Sequence, residues 1–123
     1  LIKLELHRGN DRTWNFQIQR NQLPVNLTSA LITFTAKRRK KDSAASAAIV
    51  KTTGGNGVNI TDAPNGMIEV SIGGDDTSTL YAPLYLVWDI EVIEGSGRIS
   101  NPLEGTLLLR VPVTGPGSDP AVI

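Results

Sequence analysis

The strongest constraint in this chain is a repeated two-residue alternation of apolar and polar side chains. Trp14, Phe16 and Ile18 alternate with Asn15, Gln17 and Gln19, and Ile32, Phe34 and Ala36 alternate with Thr33, Thr35 and Lys37. Ile68, Val70 and Ile72 repeat the pattern, as do Leu86, Trp88, Ile90 and Val92 and finally Leu107 and Leu109. Side chains on a strand point alternately to opposite faces, so each run makes a ribbon with one apolar face. No long run holds the 3.6-residue spacing of an amphipathic helix. The reading is therefore all-β. A helical segment from Asp42 to Lys51, through Ala44, Ala45, Ala47 and Ala48, is the one local alternative.

Punctuation between the runs fits strands joined by turns. Gly9-Asn10-Asp11, Asn21-Gln22, Gly54-Gly55-Asn56-Gly57, Asn65-Gly66 and Gly95-Ser96-Gly97 all supply residues that tolerate turn backbones. Pro24 lacks an amide donor, so Leu23-Pro24-Val25 reads as a bend or an edge. The segment Asp76 to Leu80 reads as one helical turn, capped by Asp75 or Asp76. The count is about seven to nine short strands over roughly 110 residues, as in a two-sheet antiparallel β-sandwich of the immunoglobulin-like kind. A partly open barrel is the architectural competitor. The expected inner faces carry Trp14, Phe16, Ile18, Ile32, Phe34, Ile68, Val70, Leu86, Trp88, Ile90, Leu107 and Leu109. Residues 1–111 make one domain, and the Gly- and Pro-rich stretch 112–123 reads as a tail or linker. The first residue is Leu, so the numbered chain is expected to begin after a Met or tag residue that it does not include.

Composition closes off several chemistries. The absence of Cys removes disulfides, thiol nucleophiles and Cys-ligated metal sites. A single His cannot build a multi-His metal site within one chain. No run reaches about 18 apolar residues, so no membrane-spanning helix is expected. G-x-S-x-G is absent around or away from His7, and Gly54-Gly55-Asn56-Gly57 lacks the Gly-Lys-Ser/Thr ending of a phosphate loop. Asp75-Asp76 lacks calcium-loop spacing, so turn capping is its better account. Asn26-Leu27-Thr28 and Asn59-Ile60-Thr61 read as turn and strand chemistry rather than glycan acceptors.

Charge is the sharper signal. The chain is formally neutral, yet residues 1–51 carry ten basic and three acidic side chains, against two and nine in the rest. The run Lys37, Arg38, Arg39, Lys40 and Lys41 is the densest basic feature. No aromatic residue interleaves with it, as a single-strand nucleic-acid platform would need, so nucleic acid is not the expected partner. Opposed halves favour self-complementary assembly, unless folding mixes them. Asp89 and Glu91 share a strand face and are expected to pair with Arg98 or Arg110 across the sheet.

The order of landmarks resembles a phage and prophage structural β-sandwich domain. The segment NQLPVNLTSALITFTAKR at 21–38 is similar to that family's polar hairpin, "D/N-L-T-G/S-A" bend and "T-F-x-x-K/R" strand. GVNITD at 57–62 with NGMIEV at 65–70 resembles its central hairpin, and Asp76-Thr77 with Leu80 its short capped turn. Tyr85 to Glu91 is similar to its "Y-x-Y/W-D-I/V-E" strand. Gly97-Arg98 and Pro102 to Leu107 look like its closing "G-R-x-x-T/S-P-L-x-G-x-L". The likeness spans roughly residues 8–115, with Ala82-Pro83-Leu84 where a Gly-bearing turn is usual and an unusually basic 37–41. It implies the sandwich found at the N-terminus of phage baseplate upper proteins and related tail appendage proteins. The role it implies is a non-enzymatic assembly module without a cofactor, carried on a virion and assembled in the bacterial cytoplasm. Its expected partners are copies of itself, as a trimer or hexamer, and other virion proteins. The expected partner surface is Lys37, Arg38, Arg39, Lys40, Lys41, Tyr85, Asp89 and Glu91. The alternative is a module binding host-surface glycans, with Tyr81 or Tyr85 in a groove.

Overall fold

A computed structural model describes residues 2–112. Residues 113–123, most of the segment read as a tail, lie outside the described residues. The fold is all-β, with ten strands in three sheets among the described residues. In chain order these are β1 (Ile2–His7), β2 (Arg12–Gln17), β3 (Gln19–Arg20), β4 (Leu23–Pro24), β5 (Leu31–Lys37), β6 (Ile49–Thr52), β7 (Val58–Asp62), β8 (Met67–Ile72), β9 (Leu84–Ile93) and β10 (Ile99–Arg110). The five-stranded sheet has the order β1-β10-β9-β5-β6, the three-stranded sheet β2-β8-β7, and β3-β4 form a short hairpin.

The alternating runs bury the faces expected of them. Ile32, Phe34, Leu86, Trp88, Ile90, Leu107 and Leu109 from the five-stranded sheet share one core with Phe16, Ile68 and Val70 from the three-stranded sheet. Trp88 joins the two sets: its ring lies 5.4 Å from Phe34 within its own sheet and 5.6 Å from Phe16 in the other. The indole Nε1–H donates to the Thr106 carbonyl at 3.1 Å, so the ring is buried with its donor satisfied. Trp14 differs from expectation. It is half-buried at the margin of the core, with the Arg12 guanidinium 5.6 Å from its ring.

The sheet pattern corrects the sequence reading in three places. First, the pairing is mixed, not wholly antiparallel, because β1 runs parallel to β10 with Leu4 opposite Leu107. Gly105 makes this possible, since a Cβ there would collide with the Ile2 carbonyl of β1. Second, the run 13–19 is not one strand. At Ile18 the backbone leaves the β8 ladder, donating to the Gly66 carbonyl (2.8 Å) and accepting from the Val25 amide (2.9 Å), which starts the β3-β4 hairpin. Two extra two-residue strands raise the count to ten. Third, β10 begins at Ile99, earlier than the apolar pattern indicates, and passes a register irregularity between Ser100 and Leu103. Residues 42–51 do not take up the helical alternative. One 3₁₀ turn at Ala44–Ser46 leads into β6, where Ile49 is buried opposite Ala36. Isolated helices this short are marginal, and a sheet edge offers both backbone partners and burial.

Turn chemistry follows the residues indicated, except that the helical turn expected at Asp76 to Leu80 starts earlier, at Gly74, and ends at Thr77. Asn21 and Gln22 both have positive φ (52° and 67°), the backbone of a two-residue hairpin loop. Gly66 has φ 68°, and a Cβ there would stand 2.5 Å from the Ile18 carbonyl and 2.9 Å from that of Val25. Leu27, in the Asn26-Leu27-Thr28 bend, is fully buried, while the Asn26 side-chain oxygen accepts from the Thr28 amide at 3.0 Å. The short helix α1 (Gly74–Thr77) follows β8. Its turn is held by the Asp76 carboxylate on the Gly73 amide (2.7 Å), by Asp11 on the Gly74 amide (2.7 Å), and by the buried Thr77 hydroxyl, which accepts from the Gly9 amide (2.9 Å).

Two substitutions test this account by chemical denaturation. Gln22→Gly relieves a side chain held in the left-handed region and is expected to raise stability by about 1 kcal/mol. Gly105→Ala forces β1 away from β10 and is expected to cost at least about 2 kcal/mol. A neutral Gly105→Ala contradicts the close parallel pairing.

Candidate functional site

The outer face of the five-stranded sheet is the place where the expected partner residues can be located. Register fixes their layout. On β9, Tyr85, Val87, Asp89, Glu91 and Ile93 point away from the core. Val87 lies opposite Lys37 of β5 and Thr106 of β10, and Asp89 lies opposite Thr35 and Glu104. Tyr85 lies opposite Leu108. A groove of about 330 Å³ is cut into this face, with Val87 on its floor and Lys37, Lys40, Asp89, Glu104 and Thr106 among its walls.

The basic run is a loop folded on itself, not a continuous cationic stripe. Lys37 Nζ donates to the Asp42 carbonyl at 2.9 Å. The Arg39 amide donates to the Asp42 carboxylate at 3.2 Å, with the guanidinium 3.6 Å from the same group. Lys40 turns back over the sheet to within 3.5 Å of Glu104. Arg38 and Lys41 are exposed. Asp42 is the residue that shapes this loop, and its lone carboxylate immediately after the basic run was the available signal for it.

The acidic residues are not paired as the sequence reading expects. Arg110 sits at the end of β10, opposite His7, and pairs with Glu5 at 3.2 Å. The register places it several residues beyond Asp89 and Glu91, out of their reach. Asp89 instead accepts from the Asn101 side chain at 3.1 Å, and Glu91 and Arg98 make no ion pair among the described residues. Asp89 and Glu104 are like charges directly across a strand pair, an unfavourable arrangement that Lys40 partly offsets.

Folding also mixes the two charge halves. Arg20 pairs with Glu94, Lys40 with Glu104, and Lys51 with Asp76 at 2.8 Å, each joining a base from the first half to an acid from the second. The Lys51–Asp76 pair is the best enclosed of these. The Lys51 stem lies against Gly57, and Asp76 also holds the α1 cap. Much of the charge segregation read from the sequence therefore serves the fold and not assembly.

His7 is exposed on β1. The second cavity described here is a shallow depression of about 390 Å³ lined by Pro83, Tyr85, Leu108, Arg110 and Val111. His7 lines neither cavity. Among the described residues no group of three or more His, Cys, Asp or Glu is placed to hold a metal ion, and no helix is long and apolar enough to cross a membrane. No protein-family model matches the chain, and no curated protein matches it.

The ion pairs predict a contrast measurable by denaturant titration. Asp76→Ala removes the partner of a largely enclosed ammonium and a cap together, and is expected to cost about 2 kcal/mol. Lys40→Ala removes only an exposed pair and is expected to change stability by less than about 0.5 kcal/mol.

Proposed function

We propose that this domain is a non-enzymatic assembly module with an immunoglobulin-like sandwich fold, and that it acts through protein–protein contacts of its five-stranded sheet. The fold reading is supported by strand order. The sequence β10-β9-β5-β6 against β2-β8-β7 corresponds to G-F-C-C′ against B-E-D of a variable-type domain, with the first strand laid beside the last. The one observation that carries the functional reading is the outer face of that sheet. Large apolar side chains stand on it in water: Leu31 is 61% exposed, Ile99 62% and Tyr85 70%. Leu31 and Ile99 both lie opposite Ile93, so one end of the face carries an apolar row across three strands. Contiguous apolar surface rimmed by charge marks an interaction site more often than it marks inert surface.

The likeness to phage baseplate and tail appendage domains gives this surface its setting. On that reading the module is part of a virion, assembled in the bacterial cytoplasm, and contacts copies of itself, as a trimer or hexamer, together with other virion proteins. Glycan binding is the second reading. It is favoured by Tyr85 standing in a shallow depression beside Arg110, itself paired with Glu5, which together offer a ring for stacking and polar groups for hydroxyls.

Light scattering and sedimentation over a wide concentration range, alone and mixed with the products of neighbouring genes, test the proposal. The expected result is a defined homo-oligomer or a defined complex. A monomer that stays a monomer in every mixture contradicts it. A glycan array signal shown by the wild type and lost in Tyr85→Ala would favour the second reading instead.

A further inference from the structure

The outer sheet face is polarised along its strands. Towards one end stand Tyr85, Leu108 and Arg110, the last paired with Glu5 of β1, beside the start of the loop that carries Arg38 and Lys41. Towards the other stand Asp89, Glu91 and Glu104. The groove over Val87, between Lys37, Lys40, Asp89 and Glu104, lies between the two ends. Tyr85 is two residues, about 7 Å, along the same strand from the groove floor. Its ring is the largest apolar group on the face, and it is held out of the groove by its own strand geometry.

The geometry points to a second copy of this chain as the occupant of the face, with Tyr85 of each copy seated in the groove of the other. A two-fold axis crossing the strands between Tyr85 and the groove lays each end of the face on the opposite end of its mate. Arg110 of one copy then faces Glu104 of the other, so these charges are complementary rather than opposed. The groove's volume, about 330 Å³, falls in the range of small-ligand pockets and accommodates a phenol. Its walls suit one: the Asp89 and Glu104 carboxylates accept from the hydroxyl, and the lysine ammonium groups lie near the π face. An aromatic anchor filling a pocket inside a polar rim is the usual energetic centre of an interface.

The position of the axis sets the size of the contact. β9 begins at Leu84 and β10 ends at Arg110, so the two faces overlap for about three residues on either side of it. Strands about 4.8 Å apart then share roughly 400 Å² in plan, the size of a weak, reversible contact. Reciprocal contacts of this kind occur in dimers and in hexamers of dihedral symmetry.

The inference rests on the assembly reading, and mixing experiments separate the two. Tyr85→Ala, which removes the ring, and Thr106→Trp, which fills the groove, are each expected to weaken self-association by about tenfold or more, read by sedimentation. Tyr81→Ala, removing an exposed ring that lines neither cavity, is expected to leave it unchanged. An equimolar mixture of Tyr85→Ala and Thr106→Trp is expected to associate more tightly than either alone, because one intact ring then meets one open groove. Thr35→Trp serves in place of Thr106→Trp if circular dichroism shows the latter misfolded. Oligomers indifferent to both changes, a mixture that gains nothing, or a cyclic trimer as the sole species would overturn the reciprocal contact and leave the assembly reading standing. A wild-type chain monomeric in every mixture would remove both.

Discussion

The packing of Trp88 against Phe34 on one side and Phe16 on the other is the contact on which the rest of the structure depends. The two main sheets each have one apolar face, and neither face is tolerable in water without a cover. Trp88 sits in the central region of the five-stranded sheet, on the strand that pairs with both β5 and β10. Phe16 comes from the edge of the smaller sheet. Their contact sets the two layers against each other. It also decides which residues of β9 point outward, because a strand that buries Leu86, Trp88, Ile90 and Val92 must present Tyr85, Val87, Asp89 and Glu91. The candidate interaction face is thus a consequence of core packing and not an independent feature.

Electrostatics adds the ties between elements that the core does not reach. Lys51–Asp76 fastens the edge strand β6 to the helical turn after β8, and Arg20–Glu94 fastens the β3-β4 hairpin to the end of β9. These pairs link separate elements across 25 and 74 residues of chain. The pairs left on the outer face, Lys40–Glu104 and Arg110–Glu5, are exposed, and such pairs contribute little to stability. Their groups remain free to exchange partners when another surface arrives. The distribution separates enclosed pairs that hold the fold from exposed ones suited to recognition.

Most of the strand core was legible because burial imposes strict alternation, and residues 31–37, 67–72 and 84–93 obey it. The parallel β1–β10 pairing was not. It depends on the missing side chain of Gly105 beside Ile2, a non-local fact that alternation does not encode. The break at Ile18 was hidden for a similar reason: its side chain keeps the alternation while its backbone changes partners. Val25, Leu27 and Ala30 are buried in a connection whose polar neighbours gave it the look of a surface turn. At the candidate site, the outward direction of Tyr85, Asp89 and Glu91 followed from period two. The groove did not, because it depends on where the loop after Lys37 folds, and Asp42 fixes that through contacts to Lys37 and Arg39.

A double-mutant cycle on Phe16→Leu and Trp88→Phe, measured by equilibrium unfolding, tests the facing of the two sheets most directly. Side chains in contact across the core must be energetically coupled, and aromatic pairs of this kind interact by about 0.5–1.5 kcal/mol beyond area burial. The account predicts a coupling of about 1 kcal/mol. Additive effects of the two substitutions, with coupling indistinguishable from zero, would mean that the sheets do not meet at Trp88 and that the outward face is not the one described.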